Sequence, residues 1–141
     1  YGDFSVDELS MRAEDAVSGY SDRFDEWLEN DLRKLNEAWT DASRGDATEN
    51  IWHDVSTAAH DLHGAAGSYG YPSISRLCGS LCRLLDAAGD SADPALIELH
   101  INACKAAHAA NAKSLDDDVA TSEVCEALEN SVRQHEIAVA G

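Results

Sequence analysis

Apolar residues recur every three or four positions along most of this 141-residue chain, a spacing that places them on one face of an α-helix. The alternation of apolar and polar residues that would indicate β-strands is almost absent. The helical pattern is clearest at Phe24, Leu28, Leu32, Leu35 and Trp39, and again at Ile74, Leu77, Cys78, Leu81, Leu84 and Leu85. The sequence therefore predicts an all-α fold.

Capping and turn residues divide this pattern into six predicted helices. A capping box at Ser5 and Glu8 opens a short first helix, and Gly19 is expected to close it. The second helix begins at 21–22, and the third runs from near residue 48 toward Gly70. The other boundaries are the Gly45-Asp46 pair, the Tyr71-Pro72 pair, Gly89, the Asp93-Pro94 pair and the acidic link 116–118.

Short links between long amphipathic helices favour antiparallel neighbours. We therefore predict one domain over residues 1–141, an antiparallel up-down four-helix bundle with a short N-terminal helix and an extra C-terminal helix. The bundle core is expected at about 21–113 and the C-terminal extension at about 119–138. The fifth helix is predicted to turn Ile97, Ile101 and Cys104 inward, and a sixth helix is predicted to carry the apolar residues Val124, Cys125, Leu128 and Val132.

The charge balance limits the partners of the chain. Twenty-seven Asp and Glu residues against ten Lys and Arg residues give a formal net charge of −17. Nucleic acid and anionic membrane surfaces both select basic proteins, so we expect neither as a partner. No apolar run reaches the roughly 18 residues of a membrane span, and no signal peptide is visible. We interpret Cys78, Cys82, Cys104 and Cys125 as buried thiols of a cytoplasmic protein.

The third predicted helix carries a histidine on the face opposite its apolar stripe. That stripe consists of Ile51, Val55, Ala58, Leu62, Ala66 and Tyr69. On a wheel of about 100° per residue, His60 lies about 180° from Ile51, which predicts an exposed ring. We assign the surface around it to partner binding, with the residues His53, Ser56, Thr57, Gly64 and Gly67.

Two glycines on this face are not explained by exposure to solvent. Gly64 and Gly67 each destabilise a helix by about 1 kcal/mol relative to alanine. Packing of this helix against its neighbours does not require them, because they lie away from the apolar stripe. A partner that must approach the backbone closely beside His60 would require them. We therefore expect these glycines to clear a docking surface.

The segment 60–70, HDLHGAAGSYG, resembles the motif of histidine-containing phosphotransfer (HPt) domains, which act in two-component phosphorelays. The family motif is a histidine, two residues, usually lysine, a glycine, small residues and a glycine that closes the helix. The resemblance extends to the helix around 24–39, the Gly45-Asp46 break and the helix around 77–85.

This resemblance implies a four-helix bundle and a phosphocarrier rather than a turnover enzyme. His60 would accept a phosphoryl group from a receiver-domain aspartyl phosphate and pass it to another receiver, which suits a neutral imidazole nucleophile. The implied partners are sensor or hybrid histidine kinases and response-regulator receiver domains. The resemblance implies no cofactor of the chain's own, because Mg²⁺ belongs to the receiver.

His63 stands where the family usually has lysine, which is thought to balance the phosphoryl charge. We expect His63 to stabilise the phosphoryl group by a hydrogen bond, with more pH dependence than lysine would give. His63 is also a second possible phosphorylation site, because Gly67 follows it at the offset at which Gly64 follows His60. The motif register, with Leu62 on the apolar stripe and Gly70 at its end, favours His60.

Two other functions are compatible with these residues. A metal site could use His53, His60 and His63, although three imidazoles without thiolates or carboxylates rarely form a structural zinc site. The Glu-x-x-His pairs of di-iron bundles are absent. A scaffold that binds receiver domains without being phosphorylated would keep the fold and the surface, but the presence of His60 argues against it.

Overall fold

The computed structural model describes residues 6–44, 49–110 and 119–140. These residues form five α-helices: α1 Val6–Ser43, α2 Glu49–Ala65, α3 Pro72–Ala88, α4 Pro94–Ala109 and α5 Val119–Ala140. A 3₁₀ turn at Gly89–Ser91 joins α3 to α4. No strand occurs within the described residues, and the predicted all-α fold is confirmed.

The first four helices close a bundle. α1 packs on α2, α2 on α3, α3 on α4, and α4 returns to α1, while α5 packs against α3 and α4. The largest buried residues of the bundle come from all four helices and include Leu28, Leu35, Val55, Leu62, Ile74, Leu77, Leu81, Ile97 and Ile101. α3 therefore contacts both the histidine-bearing helix α2 and the additional helix α5.

The N-terminal helix is longer than the sequence predicts. α1 runs without interruption from Val6 to Ser43, so the predicted separate short helix, closed by Gly19, is wrong. One glycine costs a helix about 1 kcal/mol, and it ends the helix only when it adopts a C-terminal cap conformation. Ser5 of the predicted capping box, the Gly45-Asp46 break and the 116–118 link lie outside the described residues.

α2 ends in a glycine turn that sets the path into α3. After Ala65 the chain continues in turns to Gly70, which has a φ of 90°. The Tyr71 amide donates to the Ala66 carbonyl at 2.9 Å and the Gly70 amide donates to the Gly67 carbonyl at 3.1 Å, the paired bonds of a Schellman motif. Pro72 then starts α3, where its missing N–H leaves no helical bond unmade.

The inward faces of α4 and α5 follow the predicted pattern with one exception. The buried residues are Ile97, Ile101 and Cys104 in α4 and Cys125, Leu128 and Val132 in α5. Val124, which belongs to the same apolar pattern, is 43% exposed. α5 lies on the outside of the bundle, and a helix packed on one side only buries a narrow stripe.

One histidine lies in the core and is fully hydrogen-bonded. His100 is completely buried, and its Nδ1 donates to the Leu96 carbonyl oxygen at 2.7 Å. A carbonyl only accepts, so the neutral ring offers Nε2 as the acceptor for the Ser80 hydroxyl at 2.9 Å. Burial lowers the pKa of His100, partly offset by the Leu96 hydrogen bond and the charge of Glu129.

Candidate functional site

His60 lies on the exposed face of α2, close to the C-terminal end of that helix. Its side chain is 53% exposed, whereas the adjacent Ala59 is fully buried. The His60 Nε2 is 3.6 Å from the Asp86 Oδ1 of α3, which is longer than a normal hydrogen bond. The ring is therefore accessible to a second protein, as the helical wheel predicts.

His63 is held against α3 by two hydrogen bonds. Its Nδ1 is 2.8 Å from the Ser75 carbonyl oxygen, and the Ser75 hydroxyl donates to the His63 carbonyl oxygen at 2.7 Å. Because a carbonyl oxygen only accepts, the His63 Nδ1 must carry a proton. In the neutral ring the Nε2 of His63 is then an acceptor, and it becomes a donor only when the ring is cationic.

Gly79 of α3 leaves the space that the His63 ring occupies. A Cβ at this position would lie 2.8 Å from the His63 Cε1 and 2.9 Å from its Nδ1. Sequence reasoning gave no role to Gly79. The available signal was a glycine in the middle of an amphipathic helix, where it costs about 1 kcal/mol and therefore needs a packing reason.

The structure brings His60 and His63 into one open cleft that reaches from α2 across α3 to α5. The other lining residues include Gly79, Arg83, Asp86 and Glu136. Its volume of about 490 Å³ exceeds that of ten water molecules at about 30 Å³ each, so the cleft has room for a phosphoryl-sized group.

An ion pair between α3 and α5 lies in the wall of this cleft. The Arg83 Nε donates to the Glu136 Oε1 at 2.6 Å and the Arg83 Nη2 donates to the Glu136 Oε2 at 3.2 Å. Seven residues earlier on both helices, Arg76 pairs with Glu129 in the same way. Sequence reasoning missed these residues; the matching seven-residue spacing of two arginines and two glutamates was the signal that could have found them.

The two glycines of the predicted docking surface have no internal role in packing. A Cβ at Gly64 would meet nothing within 4 Å, and one at Gly67 would touch only the Ser75 hydroxyl at 4.0 Å. Gly67 lies in the turn after α2 rather than within the helix. The intramolecular contacts of α2 therefore do not require the absence of a side chain at Gly64.

The remaining residues assigned to partner binding, His53, Ser56 and Thr57, do not line the His60 cleft. His53 is exposed and Ser56 is half-buried. Thr57 is exposed, but it lines a separate groove between α1 and α2, together with Lys34 and Asp61. The structure thus joins His60 to His63, Arg83 and Glu136, and places Thr57 away from that cleft.

The cysteines are free and buried, as predicted. Burial raises the pKa of Cys82, at the edge of the cleft, to about 12, so this residue is a thiol near neutral pH. Within the described ranges, no three His, Cys, Asp or Glu side chains are placed to share a metal ion. No helix in the described part of the chain is long and apolar enough to cross a membrane.

Comparison with known proteins gives one family. The model of the Hpt domain family matches residues 20–115, a range that contains α2, α3 and the two histidines of the cleft. α5 lies beyond the matched range. No curated protein and no solved structure matches the chain significantly.

Proposed function

The chain belongs to the family of Hpt domains, the histidine phosphotransfer modules of phosphorelays, and from this premise we propose that it is a phosphocarrier acting through His60. His60 takes a phosphoryl group from the aspartyl phosphate of one receiver domain and passes it to another. The observation that carries this proposal is an exposed histidine within the family match, in a cleft that also holds His63 and Arg83. The proposed partners are a sensor or hybrid histidine kinase and response-regulator receiver domains.

The proposed transfer is a substitution at phosphorus. The lone pair of a neutral His60 ring nitrogen attacks the phosphorus atom of the aspartyl phosphate, and an N–P bond forms as the P–O bond to the aspartate breaks. The bonding pair leaves with the receiver's carboxylate, and the proton on the other ring nitrogen stays on the ring or passes to water. Transfer to the next receiver is the reverse of this step.

For such a transfer the carrier mainly has to position the histidine and to balance the charge of the phosphoryl group. An exposed, neutral imidazole is a competent nucleophile near pH 7. His63 supplies a hydrogen bond to the phosphoryl group from Nε2, and because its Nδ1 proton is committed to Ser75, it does so only as a cation. Under this proposal Mg²⁺ is held by the receiver domain, and the carrier holds no cofactor of its own.

His63 is the alternative acceptor within the same cleft. The Ser75 hydrogen bond leaves a lone pair on the Nε2 of a neutral His63, which is the state that a nucleophile needs. His60 is favoured because it stands at the motif position of the family's phosphorylated histidine and is not tied to α3 by a hydrogen bond within normal distance. Substitution of each ring separately distinguishes the two.

The experiment is transfer of labelled phosphate from a phosphorylated receiver domain to the parent chain and to the His60→Gln, His63→Gln and His53→Gln variants. We expect acid-labile, base-stable label on the parent, on His53→Gln at a reduced rate of transfer because that residue is assigned to the docking surface, and, with a shorter lifetime, on His63→Gln. His60→Gln should take none. Full labelling of His60→Gln would contradict the proposal, and receiver binding by the parent without any label would support the scaffold function instead.

A further inference from the structure

The helix beyond the family match reaches the proposed phosphorylation site through an ion pair. Glu136 of α5 lines the same cleft as His60, and its carboxylate binds the guanidinium of Arg83. The Arg83 side chain is 60% exposed and that of Glu136 is 24% exposed. The guanidinium is therefore open to solvent on one side, where water screens the pair and another anion can reach it.

The charges around the cleft leave few partners for a new anion. Among the residues that the structure describes, the charged and titratable ones that line the cleft are His60, His63, Arg83, Asp86 and Glu136, with the thiol of Cys82 at the edge. Among these, Arg83 is the one with a permanent positive charge. Asp86, whose Oδ1 is 3.6 Å from the His60 Nε2, would repel a phosphoryl group on that nitrogen. A phosphoryl group on His60 therefore needs Arg83, which Glu136 already binds.

A phosphoryl group competes well for this arginine. It carries a charge of about −1.5 to −2 near pH 7, against −1 for a carboxylate, and three acceptor oxygens. Guanidinium groups bind phosphate by two parallel hydrogen bonds, as they bind carboxylate. The second pair, between Arg76 and Glu129, lines an adjoining pocket that shares His63, Gly79 and Arg83 with the cleft but does not include His60.

We propose that Arg83 changes partner when His60 is phosphorylated. Its guanidinium releases the carboxylate of Glu136 in α5 and binds the phosphoryl group instead. This inference rests on the proposed function and extends it to a helix outside the family match. By linkage, a phosphoryl group that weakens the contact of α5 with α3 is itself held more strongly when that contact is removed. Glu136 thus tunes the phosphorylated state of His60, whereas Glu129 does not.

The test is the acidity of the phosphoryl group, followed by ³¹P NMR between pH 5 and 9 after phosphorylation with phosphoramidate. The His60 signal is the one that disappears in His60→Gln. A nearby guanidinium lowers the pKa of a phosphoryl group. We expect the midpoint to rise by about 0.2 to 0.7 pH unit in Arg83→Gln and to fall by a similar amount in Glu136→Gln. Glu129→Gln, the matched control, should leave the midpoint unchanged.

The Arg83→Gln/Glu136→Gln double variant separates partner exchange from the simple loss of a negative charge. We expect its midpoint to equal that of Arg83→Gln. The inference is overturned if Glu136→Gln lowers the midpoint even when Arg83 is replaced by glutamine. It is also overturned if the midpoints are equal in the parent, Arg83→Gln and Glu136→Gln. Neither result would affect the proposed function. Absence of any phosphate on His60 would overturn both the inference and the proposed function.

Discussion

His63 and Ser75 bind each other across the turn between α2 and α3. The His63 Nδ1 donates to the Ser75 carbonyl oxygen at 2.8 Å, and the Ser75 hydroxyl donates to the His63 carbonyl oxygen at 2.7 Å. These two bonds fix the end of α2 against α3 and fix which nitrogen of His63 carries the proton. The residue that replaces the family's usual lysine is therefore part of the helix packing as well as of the cleft.

Replacement of His63 by lysine should make the lifetime of the phosphohistidine less dependent on pH. The parent can donate from the Nε2 of His63 to a phosphoryl group only when the ring is cationic, because the Nδ1 proton is bound to Ser75. Lysine stays charged from pH 6 to 8. We expect the ratio of phosphohistidine lifetimes, His63→Lys over parent, to rise from near one at pH 6 to at most about fivefold at pH 8.

The control for this measurement is His53→Lys, which adds the same charge to α2 outside the cleft. Its lifetime relative to the parent should not change with pH. Equal pH profiles for His63→Lys and the parent would show that His63 does not act on the phosphoryl group through its cationic form.

A bulky residue at Gly64 should block transfer without unfolding the chain. A Cβ there meets nothing within 4 Å, and leucine favours a helix over glycine by nearly 1 kcal/mol. We expect Gly64→Leu to keep its helical circular dichroism and to lose about tenfold in receiver-dependent transfer, equivalent to about 1.4 kcal/mol of docking energy. Labelling by phosphoramidate, which needs no docking surface, should be retained. Normal transfer by Gly64→Leu would exclude Gly64 from the docking surface.

Gly79→Ala should affect His63 rather than receiver docking. The added Cβ would lie 2.8 Å from the His63 ring, so the ring must move and its bond to Ser75 weakens. The helix gains about 1 kcal/mol from alanine, while crowding of a packed site costs about 1–3 kcal/mol. We expect a net destabilisation of about 1 kcal/mol in urea unfolding and a change in the ¹⁵N imidazole spectrum of His63. Gly64→Ala, the matched control, should show neither effect.

The buried His100 should make the chain less stable in mild acid. Burial lowers the pKa of His100 in the folded chain, so below about pH 6.5 the unfolded chain binds a proton that the folded chain does not. Stability attributable to this residue is complete above that pH and is lost as the pH falls, by at most about 1.4 kcal/mol per unit.

Urea unfolding of the parent and of His100→Gln at pH 5.5 and 7.5 measures this contribution. The parent should lose more free energy of unfolding between the two values than the variant does, because glutamine does not titrate. An equal loss in both proteins would show that other groups cause the acid sensitivity.

Local signals predicted most helix boundaries, and long-range contacts account for what they missed. Pro72, Gly89 and the Asp93-Pro94 pair act through their own backbone or side chain, so their effect is visible in the sequence. Gly19 has the same chemistry but does not end α1, since a glycine inside a helix lowers stability without dictating a turn. Val124 is exposed because of which side of α5 meets the bundle, and periodicity alone does not determine that side.

The candidate site likewise contains residues that local sequence predicts and residues whose roles depend on how the helices pack. The exposure of His60 follows from the period of α2, because the apolar stripe fixes which face is buried. The roles of Gly79, Arg83 and Glu136 depend on how α3 and α5 lie beside α2. Arg83 and Glu136 are 53 residues apart in sequence, and their pairing exists only once α3 and α5 have packed together.

The most direct test of the central claim is the position of the phosphate after transfer from a receiver domain. Peptide mapping by mass spectrometry under neutral to basic conditions, with fragmentation between residues 60 and 63, separates the two histidines of the cleft. We expect phosphate on His60 and none on His63. Phosphate on His63 with His60 unmodified, or on a residue outside the cleft, would contradict the central claim.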